Sequence, residues 1–330
     1  MFIMNKENNH PLVSIVILNW NGKELLQECI DSVIKSFYSP LEIILADNGS
    51  TDDSIEFVKS LFPSIIILEN KENLGYAEGN NRGIGIAQGK YVVTLNNDTV
   101  VERDWLDQSV EYLERDTRLG IIGCRQMNYF NRALVDGLFL YSAPELIFKR
   151  FGHKTTFDPH GRFASPGYVL ALSGGSAMYR KEMFIQLGGF DGNFFAYHDD
   201  ADLCMRAFLD GWKCLYVPKS VVYHKDNASF KKRGALSHYF HERNRIWFIY
   251  KFFPCSFIFN HLHSIIFQEI VTVGLHFIKK NGRLNYFKAR LHGFMGIWQY
   301  SKKRKIYTKK FLNRKAEFLM FQKEKIIPLS

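Results

Sequence analysis

The sequence predicts an α/β fold: a mainly parallel sheet covered by helices on both faces, followed by a helical C-terminal extension. Three observations predict it. Apolar, β-branched runs alternate with helix-spaced apolar residues through the first 125 residues, with short connections. A second set of strand-like and helix-like segments lies between residues 169 and 223. After Ala235 the pattern turns helical, and the charge balance changes sign toward the end of the chain.

Each element has its own signal. Residues 13–18 are an apolar run suited to a buried strand, after which Leu26, Cys29, Ile30, Val33 and Phe37 recur at helical spacing. Residues 42–46 form the second strand, and Ser50, three residues before Asp53, is the expected cap of a helix through Phe57 and Leu61. Strands at 65–68, 91–95 and 121–124, with helices over 77–87 and 105–114, continue the alternation. Residues 125–167, dotted with Gly, Pro and Phe, show no clear period and read as a long, partly ordered excursion. Regularity returns at 169–179 and 183–187. The loop Gly188-Gly189-Phe190-Asp191 follows, then a helix over 202–209 stopped by Gly211 and strands at 215–217 and 221–223. Leu236, Phe240, Trp247 and Tyr250 share a helical face. One α/β domain over 11–230 and a helical extension over 231–330 follow from this division.

Composition excludes several classes. A hydrophobic content of 46% and an aromatic content of 15% rule out disorder and imply a substantial core. Five scattered cysteines form neither a CxxC pair nor a disulfide framework, which favours a reducing compartment. The first ten residues, mostly polar and without an apolar h-region, predict no secretory leader. Residues 279–330 hold 15 Lys and Arg against Glu317 and Glu324, a local balance of +13. The whole chain is +10, so residues 1–278 carry −3. The longest uncharged stretch before that basic segment, 252–267, is interrupted by Pro254, Asn260, His261 and His263. It is shorter than the roughly 20 apolar residues of a spanning helix, so lying on an anionic membrane surface fits better than crossing it. Phosphate attraction would serve RNA as well as lipid, but the adjoining aromatic and aliphatic stretch favours lipid, and no nucleic-acid partner is expected.

Asn96-Asn97-Asp98, at the end of the apolar run 91–95, carries the strongest chemical signal. Open α/β sheets bind ligands in the crevice beyond their strand ends, and an isolated anion there is costly unless something positive meets it. A divalent metal carrying a nucleotide diphosphate would do so; the plainer reading of Asp98-Thr99 is a turn. Asp47, in the segment DNGSTD after the second strand, can accept a hydrogen bond from a ring N–H of uracil or thymine; the plainer reading is again turn chemistry. NLGYAEGNNRG, residues 73–83, combines glycines that let backbone approach a phosphate with Arg82, which can meet a diphosphate. Gly83, Gly85 and Gly89 do not follow the first strand and are spaced GxGxxxG, which excludes a dinucleotide fingerprint. In His198-Asp199-Asp200-Ala201-Asp202, Asp199 is the expected helix cap and Asp202 pairs with Arg206 at i,i+4. That leaves Asp200 free to deprotonate a hydroxyl. His224 is either a satisfied surface histidine or part of a Mn²⁺ or Mg²⁺ shell.

In order, VSIVILNWNG, ADNGSTDDS, NLGYAEGNNRG, LNNDT, SGGSAMYRKE, GGFD and DDADL resemble the family 2 glycosyltransferases of GT-A fold over roughly residues 11–228. The LNWNG opening and the pair Arg243-Asn244 are most similar to the bacterial rhamnosyltransferase-like subgroup. The resemblance implies a GT-A-type, mainly parallel Rossmann-like sheet. It also implies inverting transfer of a sugar from a nucleotide diphosphate donor to a glycan or polyprenyl-linked acceptor, with Mn²⁺ or Mg²⁺ as cofactor. By position it implies that Asp47 reads the base and that Arg82 lies near the ribose or diphosphate. Asn96 and Asp98 stand at the two ends of the DxD motif, with Asp98 and His224 on the metal. Asn19, Asn80 and Asn97 join them on the donor side. Asp200 matches the general base, and Gly174, Gly175, Asp199, Asp202 and Arg243 fall on the acceptor side or support it. Three departures stand out: Asn96 replaces the first DxD acid, Asp199 replaces the usual Glu, and no glycine follows His224. The implied location is the cytoplasmic face of the cell membrane, in cell-surface polysaccharide synthesis. Two other readings stand beside this one. A nucleotidyltransferase would carry a Gly-rich basic loop after the first strand, where this chain has Asn19-Trp20-Asn21-Gly22. A catalytically silent surface-binding protein would use only the basic tail.

Overall fold

The computed structural model describes residues 10–225, 234–278 and 283–329. In the first half, β1 (Val13–Asn19), α1 (Lys23–Ile34), β2 (Leu41–Asp47), α2 (Ser54–Leu61), β3 (Ile66–Glu69), α3 (Gly75–Ile86) and β4 (Tyr91–Asn96) follow the expected alternation. After these come β5 (Thr99–Val101), α4 (Asp107–Arg115), β6 (Leu119–Asn128), β7 (Val135–Gly137), β8 (Leu140–Ser142), β9 (Phe148–Arg150), β10 (Gly167–Val169), β11 (Ser176–Arg180) and α5 (Lys181–Gln186). The chain continues through α6 (Asp199–Leu209), β12 (Lys213–His224), α7 (Gly234–Phe252), α8 (Cys255–Asn260) and α9 (Leu262–Ile278). It ends with α10 (Arg283–Gly296), α11 (Ser301–Glu324) and β13 (Ile326–Pro328).

The main sheet runs β13-β10-β12-β6-β11-β4-β1-β2-β3. β3, β2, β1 and β4 are mutually parallel, as are β6 and β12, while β11 is antiparallel to both β4 and β6. The strand period of two divides the core into two layers. Val13, Ile15 and Ile17 of β1 pack with Leu26, Ile30 and Val58 on one face. Val16, with Ile44 and Ala46, packs under Ala77 and Ile84 of α3 on the other.

Residues 125–167 are more ordered than expected. β6 extends to Asn128, β7 pairs with it, and β8 and β9 form a hairpin. Strands of three residues are too short to show a period in the sequence. The two strands expected at 215–217 and 221–223 are one strand, β12, with a register shift between Val217 and Val221. Ser50 is not the cap of α2: its hydroxyl is bonded to Asp47 instead, and the helix starts after Asp53 without a side-chain cap bond. Nor does Asp199 cap α6, since it is the first helical residue and His198 holds the cap position.

The C-terminal residues return to the same core. Phe248, Phe252 and Phe253 of α7 and its end, Phe257 of α8, and Phe311 and Phe318 of α11 are buried with the α3-side layer, and β13 pairs with β10 at the sheet edge. The stretch 252–267 therefore divides after Phe257: Phe252, Phe253 and Phe257 face inward, while Phe259, Ile266 and Phe267 are exposed. Among the described residues, no helix is long and apolar enough to cross a membrane.

Candidate active site

Beyond the ends of β1, β2 and β4, parallel register sets Asn19 beside Asp47 and Leu18 beside Asn96. Asn19 donates to Asp47 Oδ2 at 2.9 Å and accepts from Asn97 Nδ2 at 2.7 Å. Asp47 also accepts from the Ser50 amide at 2.8 Å and its hydroxyl at 2.7 Å, and it is fully buried. The expected base-reading carboxylate is thus engaged inside the protein and is not among the residues lining the cleft at these strand ends. Asn19, Trp20, Asn48 and Asn73 line that end of the cleft instead. Arg82 stands on the exposed face of α3, paired with Glu78 at 3.4 Å, and is outside the lining of the cleft as well. Asn80 is buried within α3, its amide donating to Tyr76 O at 2.9 Å.

At the end of β4 the chain turns through Asn97 and Asp98 into β5, which pairs with β12 so that Thr99 lies opposite His224. This pairing brings His224 Nε2 within 3.2 Å of Asp98 Oδ1. The other ring nitrogen, Nδ1, lies 2.9 Å from Asp136 Oδ2. Burial alone would depress the imidazole, but the bonds to Asp136 and Asp98 outweigh it and lift His224 to about 10. A carboxylate and an imidazole meeting at one cavity wall fit a divalent cation of the Mn²⁺ type. Among the described residues, no group of three or more His, Cys, Asp or Glu is gathered to hold a metal. The pair would therefore supply two ligands and leave the others to phosphate or water.

A second cavity adjoins the first and shares Tyr76, Asn96, Ala196 and His224 with it. Its far wall holds Gly174, Gly175, Asp199 and Asp200. The backbone before β11 is wedged here. Thr94 Oγ1 donates to Gly174 O at 2.6 Å, Tyr76 Oη donates to the same oxygen, and Asn96 N donates to Gly175 O at 3.0 Å. A Cβ at Gly174 would stand 3.0 Å from Tyr76 Oη and 3.3 Å from Asp200 Cβ, so a side chain there would press on the base candidate.

The two adjacent acids differ in exposure. Asp199 is buried, whereas Asp200 is half-buried and accepts from Gly174 N at 3.2 Å and Ala201 N at 2.7 Å. Burial pushes both carboxyls up, Asp199 well above the usual range, with Asp200 beside it adding to the effect. Asp202 is occupied as expected: Arg206 Nε donates to it at 2.7 Å, and Lys251 Nζ to its other oxygen at 2.5 Å. Both Asp199 and Asp200 line the cavity, and Asp200 is the less buried of the two.

The loop that carries these acids is strained. Phe195, Tyr197 and His198 have φ of 65°, 66° and 64°, a left-handed conformation costing about 1–3 kcal/mol each. Asn244 pins it, with Nδ2 within 2.8–2.9 Å of the carbonyl oxygens of Phe194, Ala196 and Tyr197. Arg243 adds bonds of 3.0 Å to the carbonyls of Asn193 and Phe194. Arg243 thus supports the loop rather than lining the cleft, and Asn244 does more of the holding. Nothing local in the sequence marks Tyr76, Asn48, Asp136 or Lys251, because each acts through partners distant in the chain.

Residues 14–188 match the family model described as glycosyl transferase family 2. The chain belongs to that family. This glycosyltransferase is 35% identical over 118 residues to an uncharacterized glycosyltransferase of Haemophilus influenzae, a match covering 35% of this chain and 36% of that protein. It is 25% identical over 232 residues to glycosyltransferase GlyG of Streptococcus pneumoniae, covering 67% and 73%. Over 243 residues it is 27% identical to the N-acetylglucosaminyl-diphospho-decaprenol L-rhamnosyltransferase of Mycobacterium tuberculosis, covering 66% and 78%. Among solved structures it resembles GalNAc-T7 with UDP, GalNAc and Mn²⁺ (TM-score 0.59, 19% identity, 76% of this chain and 49% of that one). It also resembles the mannosyltransferase PcManGT from Pyrobaculum calidifontis in complex with GDP-Man and Mn²⁺ (TM-score 0.55, 18% identity, 96% and 88%). These likenesses show the fold to be GT-A, as the ordered motifs imply.

Proposed function

We propose that this glycosyltransferase moves a sugar, with inversion, from a nucleotide diphosphate donor to a hydroxyl of a glycan or polyprenyl-linked acceptor. The observation that carries the reading is the shared wall of the two cavities. Asp98 lines the first cavity and Asp200 the second, with His224, Asn96 and Tyr76 on the wall they share. Inversion needs this separation, because the acceptor oxygen attacks the anomeric carbon opposite the departing diphosphate. Glycoside hydrolysis would instead set two carboxyls across one bond.

Asp200 takes the proton of the acceptor hydroxyl as that oxygen bonds to the anomeric carbon. The bond from that carbon to the diphosphate oxygen breaks, and the electron pair leaves with the nucleotide. Burial raises Asp200, which makes it a better proton acceptor at neutral pH. A bound Mn²⁺ or Mg²⁺ supplies positive charge against the diphosphate. Asp98 and His224 would hold that ion, and Asn19 and Asn97 fix the turn beside them. Both structural neighbours hold Mn²⁺, which supports the metal reading, and the mycobacterial rhamnosyltransferase with its lipid-diphosphate acceptor supports rhamnosyl transfer to an acceptor of that kind. O-antigen biosynthesis in the name of a Myxococcus xanthus relative, 26% identical over 231 residues, supports a role in cell-surface polysaccharide synthesis.

The enzyme sits on the cytoplasmic face of the membrane as a peripheral protein, in contact with anionic lipid. Exposed Phe259 and Phe267 on α8 and α9, exposed Phe287 and Phe294 on α10, and the basic balance of residues 279–330 support this. The test of the reading is a screen of the purified protein with UDP-, dTDP- and GDP-sugars, with Mn²⁺ or Mg²⁺, for nucleotide release. Release from one donor class that rises with a lipid-linked acceptor supports it. No release from any of them overturns it.

A further inference from the structure

We propose that Asp136 is a positioning residue that fixes the ring of His224, so that Nε2 is presented to the cation site beside Asp98. The proposal rests on the reading of Asp98 and His224 as cation ligands.

Asp136 lies in the segment whose sequence shows no period. On β7, Val135 faces Met127 and Gly137 faces Gln126, with a register shift between the two pairs. Asp136 is the extra residue of this bulge. Bulges re-aim a side chain out of the ladder, and this one sends a carboxylate toward the end of β12. Asp136 is only 2% exposed, and a lone carboxylate so placed would be costly. Its partners account for it. His224 Nδ1 stands 2.9 Å from Oδ2, Arg150 Nη1 stands 3.0 Å from Oδ2 and 3.2 Å from Oδ1, and His153 Nδ1 stands 2.8 Å from its backbone oxygen.

The consequence for His224 is geometric. A carboxylate that accepts from Nδ1–H keeps the proton on that nitrogen when a cation displaces the one on Nε2, and it also fixes the plane of the ring. Nε2 is the atom 3.2 Å from Asp98. Imidazole ligands of metals commonly donate their other N–H to a carboxylate in this way, and loss of that partner weakens metal binding about 10–100-fold.

The test titrates the full-length protein with Mn²⁺ alone, followed by electron paramagnetic resonance, with thermal unfolding recorded for each variant. Wild type is expected to show nitrogen hyperfine coupling from a directly bound imidazole. Asp136→Asn, nearly isosteric, is expected to bind Mn²⁺ about tenfold or more weakly with an unfolding midpoint close to wild type. Asp136→Ala should weaken binding further; if it does not fold, Asp136→Asn decides. His224→Ala separates the two claims. If it binds Mn²⁺ like wild type and the nitrogen coupling persists, the cation-site reading itself fails. If it loses the coupling and affinity while both Asp136 variants keep them, Asp136 is a structural residue only and the proposal is overturned.

Discussion

Lys251 donates to Asp202 at 2.5 Å in a contact where neither side chain has any exposed surface. The same ammonium lies 2.8 Å from Asp191, so one cation on α7 neutralises the Gly-Gly-Phe-Asp loop and the helix that carries Asp200. Removing it leaves Asp202 with Arg206 alone and Asp191 with the more distant Lys303. Lys251→Met is expected to destabilise the protein by about 3–5 kcal/mol, measured by denaturant unfolding. A change below about 1 kcal/mol, the scale of an exposed pair, would show that the network does not hold α6.

Acid should act through the same network. Burial would raise Asp191, but Lys251 outweighs it and holds the carboxyl at about 2, below its ordinary 3.8. A group with a depressed folded value stabilises fully above its unfolded value and loses that contribution as pH falls through the folded one. Stability from Asp191 is therefore present above about pH 4 and lost between about 4 and 2. Urea midpoints measured across that window should fall more steeply for wild type than for Lys251→Met. Parallel curves would contradict the assignment.

The parts of this site that the sequence makes legible are those written in local pattern. A β-branched run ending in Asn96-Asn97-Asp98 announces a strand end with a carboxylate, and Asp202 and Arg206 announce their own i,i+4 pair. What stays hidden depends on register between distant strands. Asp47 looks free in a turn, yet Asn19 lies opposite it in parallel register and engages it. Asp136 sits in a three-residue strand whose bulge no period could reveal. Lys251 reads as one charge in an aromatic helix, because its two acids lie in other elements. The stretch 252–267 reads as one apolar surface, although it turns from inward-facing to outward-facing after Phe257.

Asp199 and Asp200 should separate cleanly. Asp200→Asn removes the proton acceptor and keeps its shape, so turnover should drop by about 10²–10⁴-fold while donor affinity stays near wild type. Asp199→Asn should retain most of its turnover. Steady-state kinetics on both variants decide the matter, and the reverse ranking would shift the base to Asp199.

The membrane surface calls for substitutions and not truncation. Removing residues 279–330 would strip away α11 and β13, which carry buried Phe311 and Phe318 and an edge of the sheet. Lys302, Lys305 and Lys309 are exposed. Reversing all three to Glu should sharply reduce co-sedimentation with anionic vesicles, since each basic residue near such a surface contributes about 1 kcal/mol. Phe267→Ser should weaken binding in a way that salt does not restore. An intact protein that fails to sediment at low salt would end the surface model.

The most direct test of the account follows the anomeric proton of the transferred sugar by NMR, using whichever donor releases nucleotide. Wild type with Mn²⁺ should give a product of inverted configuration. Asp98→Ala should give no product and lose Mn²⁺-dependent nucleotide binding. A product of retained configuration, or full turnover by Asp98→Ala in excess chelator, would contradict a cleft in which Asp200 and the Asp98–His224 pair act from opposite sides.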